Sequence, residues 1–343
     1  MGSHWTGERW TVKRTIRCLA VCVGLVGTGC VSAAGQLGMP ASASPEEIAQ
    51  AERLADLALA SYLERDGRLQ EISQRLRVAG ADLCEGDRGP VLGAALSSRK
   101  DTLLGYQIFG LQLPPGYSQA AERRFPDARP RVVEVFEGLP ASRAGLQVGD
   151  VVVSIDGDTV RDRYEIDRLT SGAGSSVELG LEREGRPISA TLERVEGCAY
   201  PSYLLPEDQV NAFAYSPLGF TAYTSALVRE LRTDTQLALV VGHEMGHQII
   251  SRLNAASPLS SEDNEARADY IGAYMTASAG YPLSGADSEL FDVLTRGDPS
   301  GLGGRGGPRT HPLSSARTLA LKQAVDEIRA KQARGEPLRP EAR

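Results

Sequence analysis

The chain has 343 residues, 41% of them hydrophobic and 24% charged, which is ordinary globular usage and excludes a disordered protein. At about 100 to 200 residues per domain, this length allows two domains, each able to bury a core of its own. The formal net charge is −7 and no Lys/Arg run follows the N-terminal segment, so the basic footprint of a nucleic-acid binder is missing.

Arg9, Lys13, Arg14 and Arg17 precede a mostly apolar stretch from Cys18 to Val26, and small residues follow from Gly27 to Gly35. This is the order of a secretory signal, expected over residues 1–34. The apolar stretch is short for a membrane span, and nothing later looks membrane-spanning. Two processing routes stay open. Cys30 behind Gly27-Thr28-Gly29 resembles a bacterial lipobox, with Gly27 where an apolar residue such as Leu is usual, while Ser32-Ala33-Ala34 suits ordinary signal-peptidase cleavage. Either route exports the protein, to the periplasm or to the outer membrane as a lipoprotein whose only membrane contact is its anchor.

Cys18, Cys22 and Cys30 lie in that segment, which leaves Cys84 and Cys198 for the mature body. In an oxidising compartment these two form a natural pair; two separate buried thiols are the alternative. After a linker at Ala41 to Pro45, apolar residues recur at helical spacing as far as Val78, predicting one or two amphipathic helices broken near Gly67. Gly80 to Ser98 reads as loop. From Thr102 to Arg194 the pattern changes to short alternating strands such as Val132-Val133-Glu134-Val135 and Val151-Val152-Val153-Ser154-Ile155.

The middle of that module, a strand followed by Pro140-Ala-Ser-Arg-Ala-Gly145-Leu, then Gly149-Asp150, a second strand and Asp156-Gly157, resembles a bacterial PDZ domain. Gly145 can end a short helix in the left-handed region and Asp156-Gly157 suits a tight hairpin turn. The resemblance, taken over residues 102–195, implies recognition of a peptide by strand addition. It puts the carboxylate-binding loop near Gly105 to Gly110 and the groove helix near Arg163 to Thr170.

Beyond Cys198 the pattern becomes mixed and then helical, with a Gly-rich interruption from Gly297 to Pro308. His243-Glu244-Met245-Gly246-His247 is HExxH, preceded by Thr233 and Gln236 at capping-box spacing. Residues i and i+4 share a helical face, so both imidazoles can bind one metal with Glu244 beside it. Zinc needs a third protein ligand and an open position. Glu265 and Asp269 fall on one face of the next helix, whose start Ser260 and Asp263 suit as a second capping box. Glu265 is the candidate third ligand and Asp269 the acceptor that orients a ligand histidine.

HExxH followed by Glu-x-x-x-Asp, with Asn211-Ala212-Phe213-Ala214 before it and Thr310-His311-Pro312 after it, resembles metallopeptidase family 48, a gluzincin family that includes bacterial envelope proteases. The resemblance implies one Zn2+ per chain held by His243, His247 and Glu265, with Glu244 as catalytic base. It puts His311 near the metal, as a transition-state hydrogen bond or a reversible metal contact, a surface-loop role being the alternative. Asn211 to Tyr223 becomes an edge hairpin against which substrate backbone lies, with Asn211, Phe213 and Ala214 as substrate-binding residues. Pro217-Leu218-Gly219 stands where the family usually has two glycines, and Ala226 where Gly is common, so the groove is expected to differ in shape. Arg317, with His311, is a candidate for stabilising the oxyanion.

Together these readings give an α+β chain. A mainly helical zincin domain with a small edge hairpin is split into residues 45–100 and 198–335 by a β-rich PDZ-like insertion, with the Cys84–Cys198 pair flanking it. The expected function is a zinc endopeptidase of the bacterial envelope acting on unfolded or misassembled proteins, with protein or peptide partners. An intramembrane protease would need several spans, and a trypsin-like enzyme a Ser/His/Asp set, which the chain lacks. The remaining alternative is a non-proteolytic PDZ binding or chaperone module with a structural zinc, against which an intact Glu244 argues.

Overall fold

The computed structural model describes residues 37–84, 86–163, 165–166, 174–253, 261–285 and 315–341. The signal segment with Cys30, the second expected cap at Ser260 and the loop carrying His311 lie outside them.

Helix α1 (Pro45–Ala79) starts with a complete capping box between Ser44 and Glu47 and Pro45 in its first turn, where a missing N–H costs nothing. It runs through Gly67 without the expected break. A glycine costs a helix interior only about 1 kcal/mol, and here the bare Cα has a use: the Glu134 carboxylate lies where a side chain would be. Leu69, Ile72 and Leu76 of α1 enter one core with Tyr223, Leu237, Val241, Met245, Tyr274 and Ile328, so the two ends of the chain share a single apolar interior.

The chain leaves that core through β1 (Arg88–Val91) and re-enters through β8 (Val195–Cys198), which pair antiparallel from Arg88↔Cys198 to Val91↔Val195. The Cys84–Cys198 disulfide forms at the foot of this two-stranded stalk, with Cα atoms 5.4 Å apart. Beyond it lies a six-stranded sheet in the order β2-β3-β4-β6-β7, with β5 beside β4. These are Ala94–Ser97, Arg131–Val135, Val151–Ile155, Asp158–Thr159, Ser176–Arg183 and Arg186–Glu193 for β2 to β7. Its own core includes Val132, Val152, Ile155, Leu179 and Leu192.

Two sequence expectations fail in this module. The sheet starts at Ala94, within the stretch read as loop, because β2 is only four residues long and buried at every position, which leaves no alternation to read. Gly105 to Gly110 is not a loop. It belongs to α2 (Arg99–Phe109), capped by the Ser98 hydroxyl and closed by Gly110 at φ 62°. Helices α3 (Tyr117–Arg124) and α4 (Pro140–Arg143) complete the module, and Arg163, Glu165 and Ile166 are helical where the groove helix is expected.

The remaining elements are β9 (Ser202–Leu205), the hairpin β10 (Ala212–Tyr215) and β11 (Phe220–Thr224), then α5 (Ser225–Glu230), α6 (Asp234–Leu253), α7 (Ser261–Ser278) and α8 (Ser315–Arg334). The sheet order is β10-β11-β9, with β10 antiparallel and β9 parallel to β11, so β10 is an outer strand. Among the described residues no helix is long and apolar enough to cross a membrane.

Candidate metal centre

Thr233 and Gln236 form the expected capping box and fix the start of α6. Leu237, Val241, Met245 and Ile249 are buried along this helix, and that burial carries His243 (6% exposed) and Glu244 (1%) out of water with them. Buried polar groups need partners. Those of His243 come from α7, which packs on α6 at backbone contact through small residues. A Cβ on Gly242 would lie 2.7 Å from the Gly272 carbonyl oxygen, one on Gly272 2.6 Å from the His243 nitrogen, and one on Gly246 2.9 Å from the Ala268 carbonyl oxygen. Any side chain there would force the helices apart and carry Glu265 away from the histidines.

The two imidazole Nε2 atoms are 3.0 Å apart, and the Glu265 oxygens lie 3.4 Å from that of His243 and 3.3 Å from that of His247. Four-coordinate zinc with bonds of about 2.0–2.2 Å needs ligands separated by about 3.3 Å, so these three residues fit one ion. They form the one such group of metal-ligand type found among the described residues. Behind them, His243 Nδ1 lies 2.7 Å from an Asp269 oxygen and His247 Nδ1 3.0 Å from the Asn264 side-chain oxygen. Each is an acceptor, so each imidazole donates its Nδ1 proton outward and turns its Nε2 lone pair toward Glu265.

Electrostatics favour a cation at that point. Burial acts to strip the His243 proton, but the Asp269 carboxylate, then Glu265 and Glu244, outweigh it and push the group up to about 10. Burial acts to raise Asp269, yet His243 and Arg317 hold it below the usual carboxylate range. A metal cation held at Nε2 would take the place of the proton that this acidic surround otherwise favours there.

Arg317 corrects a sequence expectation. Its Nε and Nη2 donate to the two Asp269 oxygens at 2.8 Å each, and Nη1 lies 3.1 Å from Glu265, with the residue 3% exposed. The guanidinium is directed onto the carboxylates that hold the site, so it positions ligands rather than receiving an oxyanion.

Asn264 was missed by sequence reasoning, though a signal existed. α6 and α7 run antiparallel, so one turn forward from His243 to His247 corresponds to about one turn back from Asp269, which arrives at Asn264. The hairpin expected at Asn211 to Tyr223 is present beside α6, tied to it by Gln248 Nε2 donating to the Phe220 carbonyl at 2.7 Å. Asn211 anchors the hairpin through its backbone, its N–H donating to the Thr224 hydroxyl and its carbonyl accepting from it, both at 3.1 Å. Phe213 and Ala214 are half-buried on β10.

A HExxH helix, an acidic ligand from the following antiparallel helix and an edge hairpin alongside define a zinc-metallopeptidase architecture, here with a separate β module in front. Residues 181–251 match the model of peptidase family M48, and residues 131–183 that of the PDZ domain. One segment of the chain is thus similar to peptidase family M48 and the segment before it to a PDZ domain, the two together spanning residues 131–251. Glu265 and Asp269 lie beyond the matched segment and rest on geometry.

Among curated relatives, a protein of Mesorhizobium japonicum named as a zinc metalloprotease is 40% identical over 65 residues, covering 19% of this chain and 18% of its own. The mitochondrial metalloendopeptidase OMA1 of Arabidopsis thaliana is 27% identical over 179 residues, covering 43% and 36%. The chain therefore spans well under half the length of either relative. Among solved structures, the HtrA3 PDZ domain bound to a phage-derived ligand aligns at 16% identity over 32% of this chain and 88% of that one, with a TM-score of 0.23.

Proposed function

We propose that this protein is a zinc-dependent endopeptidase of the bacterial cell envelope that hydrolyses peptide bonds in unfolded or misassembled proteins, with its PDZ domain recognising substrate or partner peptides. The observation that carries the reading is the convergence of His243, His247 and Glu265 on one point beside a buried Glu244, next to the outer strand β10. The envelope location rests on the signal-like residues 1–34, and the substrate class on the resemblance to envelope proteases.

When bound, zinc supplies Lewis-acid polarisation of the scissile carbonyl and acidification of a water. His243, His247 and Glu265 hold it, with Asp269, Asn264 and Arg317 fixing the ligands behind. Glu244 takes the proton of the attacking water on its carboxylate and returns it to the leaving amine nitrogen. Strand β10, through Asn211, Phe213 and Ala214, aligns substrate backbone by strand addition. His311 supplies a hydrogen bond to the oxyanion.

The test is cleavage of a reduced, carboxymethylated model protein by the exported chain with zinc quantified in parallel. Glu244→Gln is expected to keep stoichiometric zinc and lose at least 10²–10⁴ of the rate, the usual weight of general acid–base catalysis. Undiminished cleavage by that variant rejects the assignment.

A further inference from the structure

The edge of the PDZ sheet is already answered from within the chain. Strand β2 is the outermost strand on one side, paired only with β3 in its sheet. An outer strand presents unpaired N–H and C=O groups, and an extended peptide binds such an edge by offering the complementary pair. Here Gln74 of α1 offers it. Its Oε1 accepts from the Gly93 N–H at 2.7 Å and its Nε2 donates to the Ala94 carbonyl at 2.9 Å, both bonds buried. A single side-chain amide reproduces the acceptor and donor that a ligand backbone would bring.

The turn that aims these groups is built for the purpose. Gly93 has φ +84°, and a Cβ there would lie 2.6 Å from Leu139 Cβ and 2.9 Å from the Pro140 nitrogen, so only glycine fits. Next to the Gln74 amide opens a shallow cleft whose lining includes Leu92, Leu96 and Ile166 from the PDZ module with Arg77 and Arg163. Apolar walls with two guanidinium groups suit an extended peptide that ends in an apolar residue and a free carboxylate. Both arginines are engaged: Arg77 donates to the Cys198 and Pro90 carbonyls of the stalk, and Arg163 reaches across the domain boundary to lie 3.5 Å from Asp66 of α1.

We infer that Gln74 is an internal ligand that latches the PDZ groove onto the peptidase helix α1, and that a peptide with an apolar last residue and a free carboxylate competes with it for Gly93 and Ala94. This deepens the reading above, since it rests on the PDZ domain taking peptides. The device makes peptide recognition conditional: the incoming chain must replace two buried hydrogen bonds before it gains its own, so affinity in the latched protein is reduced by the fraction of open groove.

The experiment uses the exported chain as wild type, Gln74→Ala and Gln74→Met, the last keeping side-chain volume while removing both hydrogen bonds. Hydrogen exchange of the peptide segment containing Gly93 to Leu96 is followed without ligand. Binding is followed by anisotropy with a fluorescein-labelled decapeptide pool, randomised except for Val, Leu, Ile or Phe at the last position, in free-acid and C-terminally amidated forms. Both variants are expected to exchange at least tenfold faster in that segment and to bind the free-acid pool about tenfold more tightly than wild type, with the amidated pool weaker throughout. Exchange unmoved in both variants overturns the latch, as does equal affinity of the free-acid pool for all three proteins. Fast exchange in Gln74→Ala alone assigns the effect to packing and overturns it too. Faster exchange in both variants with no binding of either pool leaves the contact as a latch and overturns peptide recognition instead.

Discussion

The α6–α7 pair and the α1–β2 junction are both buried polar contacts between elements, and they are finished differently. At α6–α7 the outward nitrogens of both histidines are satisfied by Asp269 and Asn264, while the inward ones face each other and Glu265 across 3.0 to 3.4 Å. That arrangement of lone pairs and carboxylate is one that a bound cation would complete. At α1–β2 the polar groups of the sheet edge are completed by the chain itself, through the neutral amide of Gln74. The chain pairs the buried carboxylates of this centre through Arg317 but leaves the inward histidine nitrogens and the Glu265 oxygens facing one point, which suits an external cation. An edge of neutral amides can be closed by one side chain and reopened at modest cost.

The comparison breaks most readily at Arg317. Removing this cation leaves Asp269 and Glu265 buried with less compensation, and loss of one partner from a buried ion pair costs about 3–5 kcal/mol. Arg317→Met is therefore expected to lower stability by that amount in chemical denaturation of the metal-free protein. Zinc affinity should fall about 10–100-fold, as when other groups behind metal ligands are lost. A competition titration with a chelator of known affinity reads the second effect. A loss below about 1 kcal/mol with unchanged zinc affinity would mean that the carboxylates are held without the guanidinium.

The same contrast explains what could be read from sequence. His243 and His247, like Glu265 and Asp269, are each one helical turn apart, so the period of the helix alone places them together; only the meeting of the two helices is non-local. Gln74 carries no such mark. It is one glutamine among the polar residues of a 35-residue helix, and its partners, Gly93 and Ala94, lie where a turn enters a four-residue strand buried at every position. Gly67 misled for a related reason: a glycine in a helical pattern reads as a break, whereas this one makes room for Glu134 from another domain. Arg317 was found as a residue near the site but given the wrong task, because the residues it touches follow from how α7 and α8 pack.

A smaller effect is expected where α6 and α7 touch backbone to backbone. A methyl at position 272 would lie 2.6 Å from the His243 nitrogen and 2.8 Å from the Gly242 carbonyl carbon, neither of which can swing aside as a side chain would. Gly272→Ala is expected to cost about 1–3 kcal/mol, the usual range for overpacking a close contact. Weaker zinc binding should accompany it, because the helices must separate. Measured by urea denaturation, a neutral outcome would show that the helix pair tolerates separation and that the ligand distances are set elsewhere.

The smallest effect belongs to the PDZ side and carries a pH signature. Glu134 of β3 lies against Gly67 of α1; burial, then Glu71, Asp66 and Glu64, push its carboxyl above the ordinary value of 4.5. A carboxyl raised in the folded state favours its neutral form there. The stability this confers is fully present below the unfolded value and is lost as pH rises through the raised one. At neutral pH the Glu134 charge therefore opposes docking of the PDZ domain on α1, which is the docking that Gln74 completes. Glu134→Gln is expected to raise Tm by about 1–2 °C at pH 7.5, a fraction of what 1 kcal/mol gives a chain of this size, with no gain at pH 4. It should also slow exchange at Gly93 by strengthening the latch. An equal Tm gain at both pH values would assign the effect to packing, and the two junctions would then differ in how their polar groups are completed but not in their response to charge.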